Sequence, residues 1–331
     1  IKKKDVKKKD VNKKSTGVMV MNLMSDKRAL IEAALMATIS SFFVISFIYI
    51  PFLALLLILL PVPFLVLATR HGNRYVVFSF LITSIIVGAL TGIIYPIFIV
   101  LLFGPMTLVM GYFLKRQANP YRVIGLGTLI SVFSIFIVVQ LVDWVAGIYL
   151  IDELILMLQS VIDHQIGALE NMDIQAISRE ELLSYLVIII PGAFVVQSLL
   201  ICFLNYYMTA AVLKRLGIDQ QELPEFSNFR WPGNIVLGSF IIFILTFATQ
   251  FIEGIYAQTL LTNITLIFSF VFFLQGIAFI SFFIKKTRVN KFIRMVILGV
   301  IVILSPLLTI VAIMGLVDAL FDMRNLKKSR A

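Results

Sequence analysis

Apolar runs long enough to cross a lipid bilayer recur between Leu30 and Phe321, and the short links between them alternate in charge. A bilayer-crossing helix needs about 20 apolar residues. The spans read as 29–49, 51–69, 76–94, 96–114, 122–148, 179–212, 234–252, 259–284 and 292–323. Lys27 and Arg28 precede the first, and Arg70 and Arg74 follow the second. Lys115, Arg116 and Arg122 follow the fourth, Lys214, Arg215 and Arg230 the sixth, and Lys285, Lys286, Arg288, Lys291 and Arg294 the eighth. The intervening links hold almost no Lys or Arg. Positive charge is retained on the cytoplasmic side of such proteins, so the N-terminus and the basic links are expected in the cytoplasm. The fold class is all-α, a polytopic transmembrane helical bundle of about eight to ten hydrophobic segments.

Composition closes off other classes. With 60% hydrophobic and 14% charged residues, the chain cannot bury its apolar surface in a soluble globule, where apolar residues make up about 45–50%. Cys202 is the one cysteine and lies inside a span, which excludes disulfides. His71 and His164 fall in links of opposite sidedness, so no histidine metal cluster and no cofactor is expected. The net charge of +10 is not a nucleic-acid footprint: eight lysines are packed into residues 2–14. Because the first residue is Ile1 and Met19, Met21 and Met24 precede the first span, the native start is expected near Met21, with 1–20 a basic tail that is disordered or not native. If native, the tail would touch anionic lipid.

Two segments depart from the simple pattern. Basic residues flank the last apolar stretch on both sides, with Lys291 and Arg294 before it and Arg324, Lys327, Lys328 and Arg330 after. A single crossing would put the C-terminus outside. A break at Ser305–Pro306 would instead make a hairpin with both ends inside, its first arm short for a full crossing. The other departure is the outer link 151–178. There Ile151, Leu154, Ile155, Leu158, Ile162, Ile166 and Leu169 recur at helical spacing among Asp152, Glu153, Asp163, Glu170 and Asp173. This predicts an amphipathic helix on the outer face, either structural or a lid over an external cavity. Ser178 and Glu181 have the spacing of a capping box opening the sixth span.

Ala29, Ala33 and Ala37 repeat every fourth residue in the first span. Small residues at that spacing let another helix approach closely, whether a neighbour in the same bundle or a separate membrane subunit. Pro51, Pro61 and Pro63 predict a bent second span. Asp143 is the best-placed intramembrane acid, but it falls near the outer interface beside Trp144, a residue type that anchors at headgroup level. Glu253 and Asp318 also sit towards the ends of apolar stretches. Gln140, Gln197, Asn205, Gln250 and Gln275 either line a cavity or hydrogen-bond between helices. No phosphate-binding glycine loop, His-Glu-x-x-His or Gly-x-Ser-x-Gly motif is present, so no enzyme is expected, and ATP-driven work would need a partner ATPase.

Several stretches together resemble the YybS-like family of bacterial membrane proteins, domain-of-unknown-function family 2232. They are Glu32-Ala33-Ala34-Leu35-Met36-Ala37, Pro61-Val62-Pro63-Phe64, Gly104-Pro105-Met106, the link Leu223–Pro232 and the closing run Gly315–Arg324. The resemblance covers most of 21–324 and implies a bacterial cytoplasmic membrane. The first six spans are also similar to S components of energy-coupling-factor vitamin transporters, in which an alanine face on the first helix docks a coupling subunit driven by ATPases. This implies an S-component-like bundle over 21–212, a cytoplasmic link over 213–233 and additional membrane helices over 234–331. The resemblance implies a substrate-binding subunit for a vitamin-like molecule, with Ala29, Ala33 and Ala37 docking the energy-coupling partner. The site would be Gln140, Asp143 and Trp144, covered by the 151–178 helix. The alternative is a membrane scaffold that transports nothing.

Overall fold

The computed structural model describes residues 2–147, 149–170, 178–219, 225–252, 256–287, 290–303 and 305–324. Among them the regular structure is entirely helical, as expected where lipid cannot satisfy open backbone groups. In chain order the helices are α1 (Lys2–Tyr49), α2 (Pro61–Arg70), α3 (Asn73–Thr91), α4 (Ile94–Lys115), α5 (Pro120–Ala146) and α6 (Leu150–Glu170). Then come α7 (Arg179–Arg215), α8 (Gly233–Ala248), α9 (Ala257–Lys286), α10 (Lys291–Ile303) and α11 (Ser305–Phe321). Seven described helices are long and apolar enough to cross a membrane: the Asp26–Tyr49 part of α1, and α3, α4, α5, α7, α8 and α9. Their apolar side chains remain exposed, as on α8 at Leu237, Ile241, Ile244 and Leu245. In a bilayer these face lipid. Asp173, Leu223, Pro224 and Glu253 lie outside the described residues.

The chain divides into two compact units, residues 1–138 with 199–221, and 139–198 with 222–331. The division runs through α5 and α7 and again within the 213–233 link.

In the first unit the second apolar run is not one bent α-helix. Pro51–Leu59 winds as a 3₁₀ helix and α2 takes over at Pro61. Proline has no N–H to donate, so in the 3₁₀ pattern the Ile58 carbonyl would lack a donor. Asn205 supplies one, its Nδ2 donating to Ile58 O at 2.8 Å. The α2 residues Phe64, Leu65 and Leu67 are fully buried, and Phe64 stacks on Phe80 at 3.9 Å. Gly111 lets α4 close on α2, since a Cβ there would stand 2.4 Å from that of Ala68.

Helices α1 and α3 run parallel. Tyr75 donates to Asp26 at one end, Ser79 to Ala33 O and Thr83 to Ala37 O in the middle, and Tyr49 to Leu90 O at the other. Parallel first and third crossings are what alternating links require.

The second unit is built on α9, which buries every residue from Phe272 to Phe279. Pro191 lies inside α7 and opens the turn before it. Asn263 fills that place: its Oδ1 accepts from Gly192 N at 2.6 Å and its Nδ2 donates to Ile188 O at 2.8 Å. Its amide thus holds both members of one helical step. Further along, α9 meets α11 at two glycines. A Cβ on Gly276 would stand 2.0 Å from Val311 O, and one on Gly315 1.9 Å from Phe272 O. No side chain fits there.

The amphipathic helix expected over the outer link forms as α6. Ile151, Leu154, Ile155, Leu158 and Ile162 make its less exposed face, while Leu156, Met157 and Val161 are exposed beside Asp152 and Glu153. Arg179 grips Asp163 with two hydrogen bonds, 2.5 and 2.9 Å long. Ser178 Oγ accepts from Glu181 N at 3.3 Å, so the capping interaction opening α7 is present.

Candidate functional site

Charged and polar side chains gather where the basic links are. In the second unit, the segment 225–232 is an irregular stretch between α7 and α8, so its carbonyls have no helical donors and must find others. Phe226–Asn228 makes one 3₁₀ turn, Phe229 is extended, and Pro232 precedes α8. Phe229 is fully buried, with Trp231 edge-on at 5.0 Å. Trp231 donates Nε1–H to Val271 O at 2.9 Å and its backbone N–H to Gln275 Oε1 at 3.2 Å. The other end of that amide donates to Asp318 Oδ2 at 2.9 Å.

Arg324 completes the arrangement. Asp322 adopts a left-handed conformation (φ 50°) after α11, which aspartate tolerates better than most residues. The chain then turns back, and Arg324 meets Asp318 with N–O separations of 2.8 and 3.2 Å, both side chains buried. Its remaining donors reach Ser227 O and Phe229 O, each at 2.7 Å. The five donors of a planar guanidinium, spread over three nitrogens, serve a carboxylate and two carbonyls together, whereas an ammonium has three donors on one nitrogen. Arg230 pairs with Asp322 and donates to Ala319 O at 2.8 Å, and Lys285 pairs with Glu225. Segment 225–232 is thereby strapped to α9 and α11. These contacts put Lys285, at the end of α9, and Arg324, beyond α11, at the same segment. The apolar stretch 292–323 therefore starts and finishes on one side of its unit, as the hairpin reading requires. Its first arm, α10, has 13 residues, about 20 Å, well short of the roughly 30 Å hydrocarbon core.

The first unit has a counterpart. Glu32, within α1, is met by Arg70 at 2.9 Å, His71 at 2.8 Å and Arg28 at 3.3 Å. Lys115 Nζ donates to His71 O at 3.2 Å, and Gln117 Nε2 to Asp219 O at 2.7 Å. Four links that charge alone assigned to one side thus meet at one end of this unit.

The predicted site residues fare differently. Ala29, Ala33 and Ala37 are buried, at 1%, 0% and 0% exposure, within the chain's own fold. Ser79 and Thr83 of α3 bond to the carbonyls of the last two. This corrects the docking reading: α3 occupies the alanine face, and a separate subunit cannot pack there. Gln140 and Trp144 are exposed, Trp144 at 82%, and Asp143 is half-buried. Among the described residues no hydrogen bond links their side chains, so they form no convergent cluster. Of the glutamines and asparagine expected in a cavity or between helices, Gln197 and Gln250 are exposed, whereas Asn205 and Gln275 bond between elements. Sequence reasoning missed Asn263 and the buried role of Arg324. The signal for Asn263 was an amide inside an apolar span facing a proline-broken helix. For Arg324 it was the acid six residues earlier.

Together, the long apolar helices and the charge gathered at the links define a multi-pass helical membrane protein. The chain belongs to the family described as Predicted membrane protein (DUF2232), whose model matches residues 38–319. It is similar to Uncharacterized protein YybS of Bacillus subtilis (strain 168), 25% identical over 312 residues that cover 91% of this chain and 99% of the relative. No solved structure matches. The match includes Gln275, Asp318 and the strapped segment, and bears out the YybS-like resemblance; these comparisons lend no support to a likeness to S components.

Proposed function

We propose that this chain is a non-catalytic interaction protein of the bacterial cytoplasmic membrane, with its N-terminus and basic links in the cytoplasm. It would present the strapped segment 225–232 to a partner in an envelope assembly. The observation that carries this reading is where the buried amides are directed. Gln275 and Asn263 are bonded at both ends, and Asn205 through its nitrogen, all to their own chain. A solute site needs convergent polar groups facing a cavity; a rigid support needs them turned inward.

The test is photo-crosslinking in cells from Glu225 and Lys286, compared with Leu237 and Ile244 on the lipid-facing side of α8. Reproducible adducts to the same protein from the first pair, absent from the second and lost in Arg324→Gln, are expected. Adducts to lipid alone from all four positions would overturn the reading.

A second reading is a substrate-binding subunit for a vitamin-like molecule, powered by an energy-coupling transmembrane subunit with ATPases. It is favoured by α6, an amphipathic helix tethered through Arg179 and Asp163. Co-reconstitution with the host's coupling module decides it: ATP-dependent accumulation of a vitamin would replace the interaction reading, and no accumulation would remove the uptake reading.

A further inference from the structure

We propose that a pocket at the basic end of the first unit binds a phosphate-bearing anion. The inference is independent of the partner reading above. The pocket has a volume of about 630 Å³ and is lined by residues 71–75 at the start of α3 and by Tyr112, Lys115 and Arg116 at the end of α4. That size lies within the range of small-molecule and headgroup sites, about 300–1,000 Å³.

Three features give it its chemistry. First, its cations are unneutralised: among the described residues, no carboxylate lies within ion-pair distance of Arg74, Lys115 or Arg116. Of the nearby acids, Glu32 is paired with Arg28, Arg70 and His71, while Asp26 accepts from the Tyr75 hydroxyl and makes no ion pair with the three cations. Second, two of the three cations are held in place. Lys115 Nζ rests on His71 O, and Arg116 lies over the Tyr112 ring at 4.1 Å. Third, α3 begins in the pocket wall. Its N-cap is Gly72 at φ 103°, with no side-chain cap and no acid in the first turn. Early N–H groups and the positive end of the helix dipole therefore add to the three cations. The backbone must pass Lys115 closely here, because a Cβ on Gly72 would stand 2.9 Å from its Nζ.

A phosphoryl group matches this array: doubly acceptor-rich, anionic and compact enough for the planar guanidinium groups to meet it with paired hydrogen bonds. It can come from an anionic phospholipid headgroup, since the pocket lies at the ends of membrane-crossing helices, or from a soluble phosphate compound. Basic pockets between transmembrane helices hold lipid headgroups in this manner.

The experiment is native mass spectrometry of the full chain released from nanodiscs of phosphatidylglycerol or phosphatidylcholine. Calorimetric titration of the detergent-solubilised chain with inorganic phosphate runs in parallel. The comparison is Arg74→Gln/Lys115→Gln/Arg116→Gln, with Lys27→Gln/Arg215→Gln, outside the pocket lining, as a charge control. Each cation removed should weaken binding roughly fivefold, so the triple variant should lose on the order of 100-fold. Retention of phosphatidylglycerol but not phosphatidylcholine, lost in the triple variant alone, supports the site with lipid as its source. Phosphate binding lost in the same variant supports it with a soluble source. Equal retention of both lipids together with no phosphate binding, or undiminished binding in the triple variant, overturns it. Should the triple variant not fold, Arg74→Gln carries the test, because that side chain is exposed and its loss should still give the roughly fivefold drop.

Discussion

The Asp318 carboxylate and the Arg324 guanidinium lie 2.8 Å apart, six residues from one another in sequence, with neither side chain open to solvent. The same guanidinium holds the carbonyls of Ser227 and Phe229, so one residue joins the end of the chain to a segment nearly a hundred positions earlier.

Removing one partner of a buried pair leaves the other charge uncompensated, a loss of about 3–5 kcal/mol. Asp318→Asn is therefore expected to lower the unfolding midpoint of the solubilised protein strongly. In Asp318→Asn/Arg324→Gln the second change should cost less than it does alone, because no bare charge remains. Additive losses in a thermal-shift double-mutant cycle would show the two residues to be uncoupled.

The glycine crossing of α9 and α11 makes a second prediction. Gly276→Ala or Gly315→Ala must force the helices apart, since the added carbon would overlap backbone oxygen. Overpacking costs about 1–3 kcal/mol, and both variants are expected to become protease-sensitive at the strap. Gly238 has open space around it, so Gly238→Ala is the matched control and should behave as wild type.

Ala33→Leu/Ala37→Leu tests the alanine face. Because α3 covers both positions, the double variant should destabilise the first unit itself, by about 1–3 kcal/mol per site, seen as a lower midpoint without any partner present. An unchanged midpoint would return the face to the role of an outer docking surface.

Legibility in the sequence followed the range of the forces involved. The bilayer imposes span length and charge sidedness locally, so the apolar runs and basic links could be read from the chain, and Glu32, Lys115 and Gln117 confirm in the first unit that those links share an end. Proline effects were half legible. Pro61 announced a distortion, but the 3₁₀ winding before it depends on Asn205, 147 residues away from Ile58. The alanine repeat was ambiguous because close helix packing looks the same within a chain as between chains. Arg324 read as one more tail cation, since its one local signal, Asp318 six residues earlier, does not say that a turn at Asp322 will carry it back into the interior. The clusters were hidden for the same reason: they join residues that only packing brings together.

The Asn263 amide has a consequence for how the protein is made. Gly192 leaves the ribosome 71 residues before its side-chain partner, a delay of roughly 4–14 s at ordinary bacterial elongation rates. Throughout that interval the proline-weakened turn of α7 stands in the translocon or the lipid without its brace. The seventh helix is thus completed by the ninth, and chain order alone makes the late arrival of α9 a checkpoint in membrane assembly.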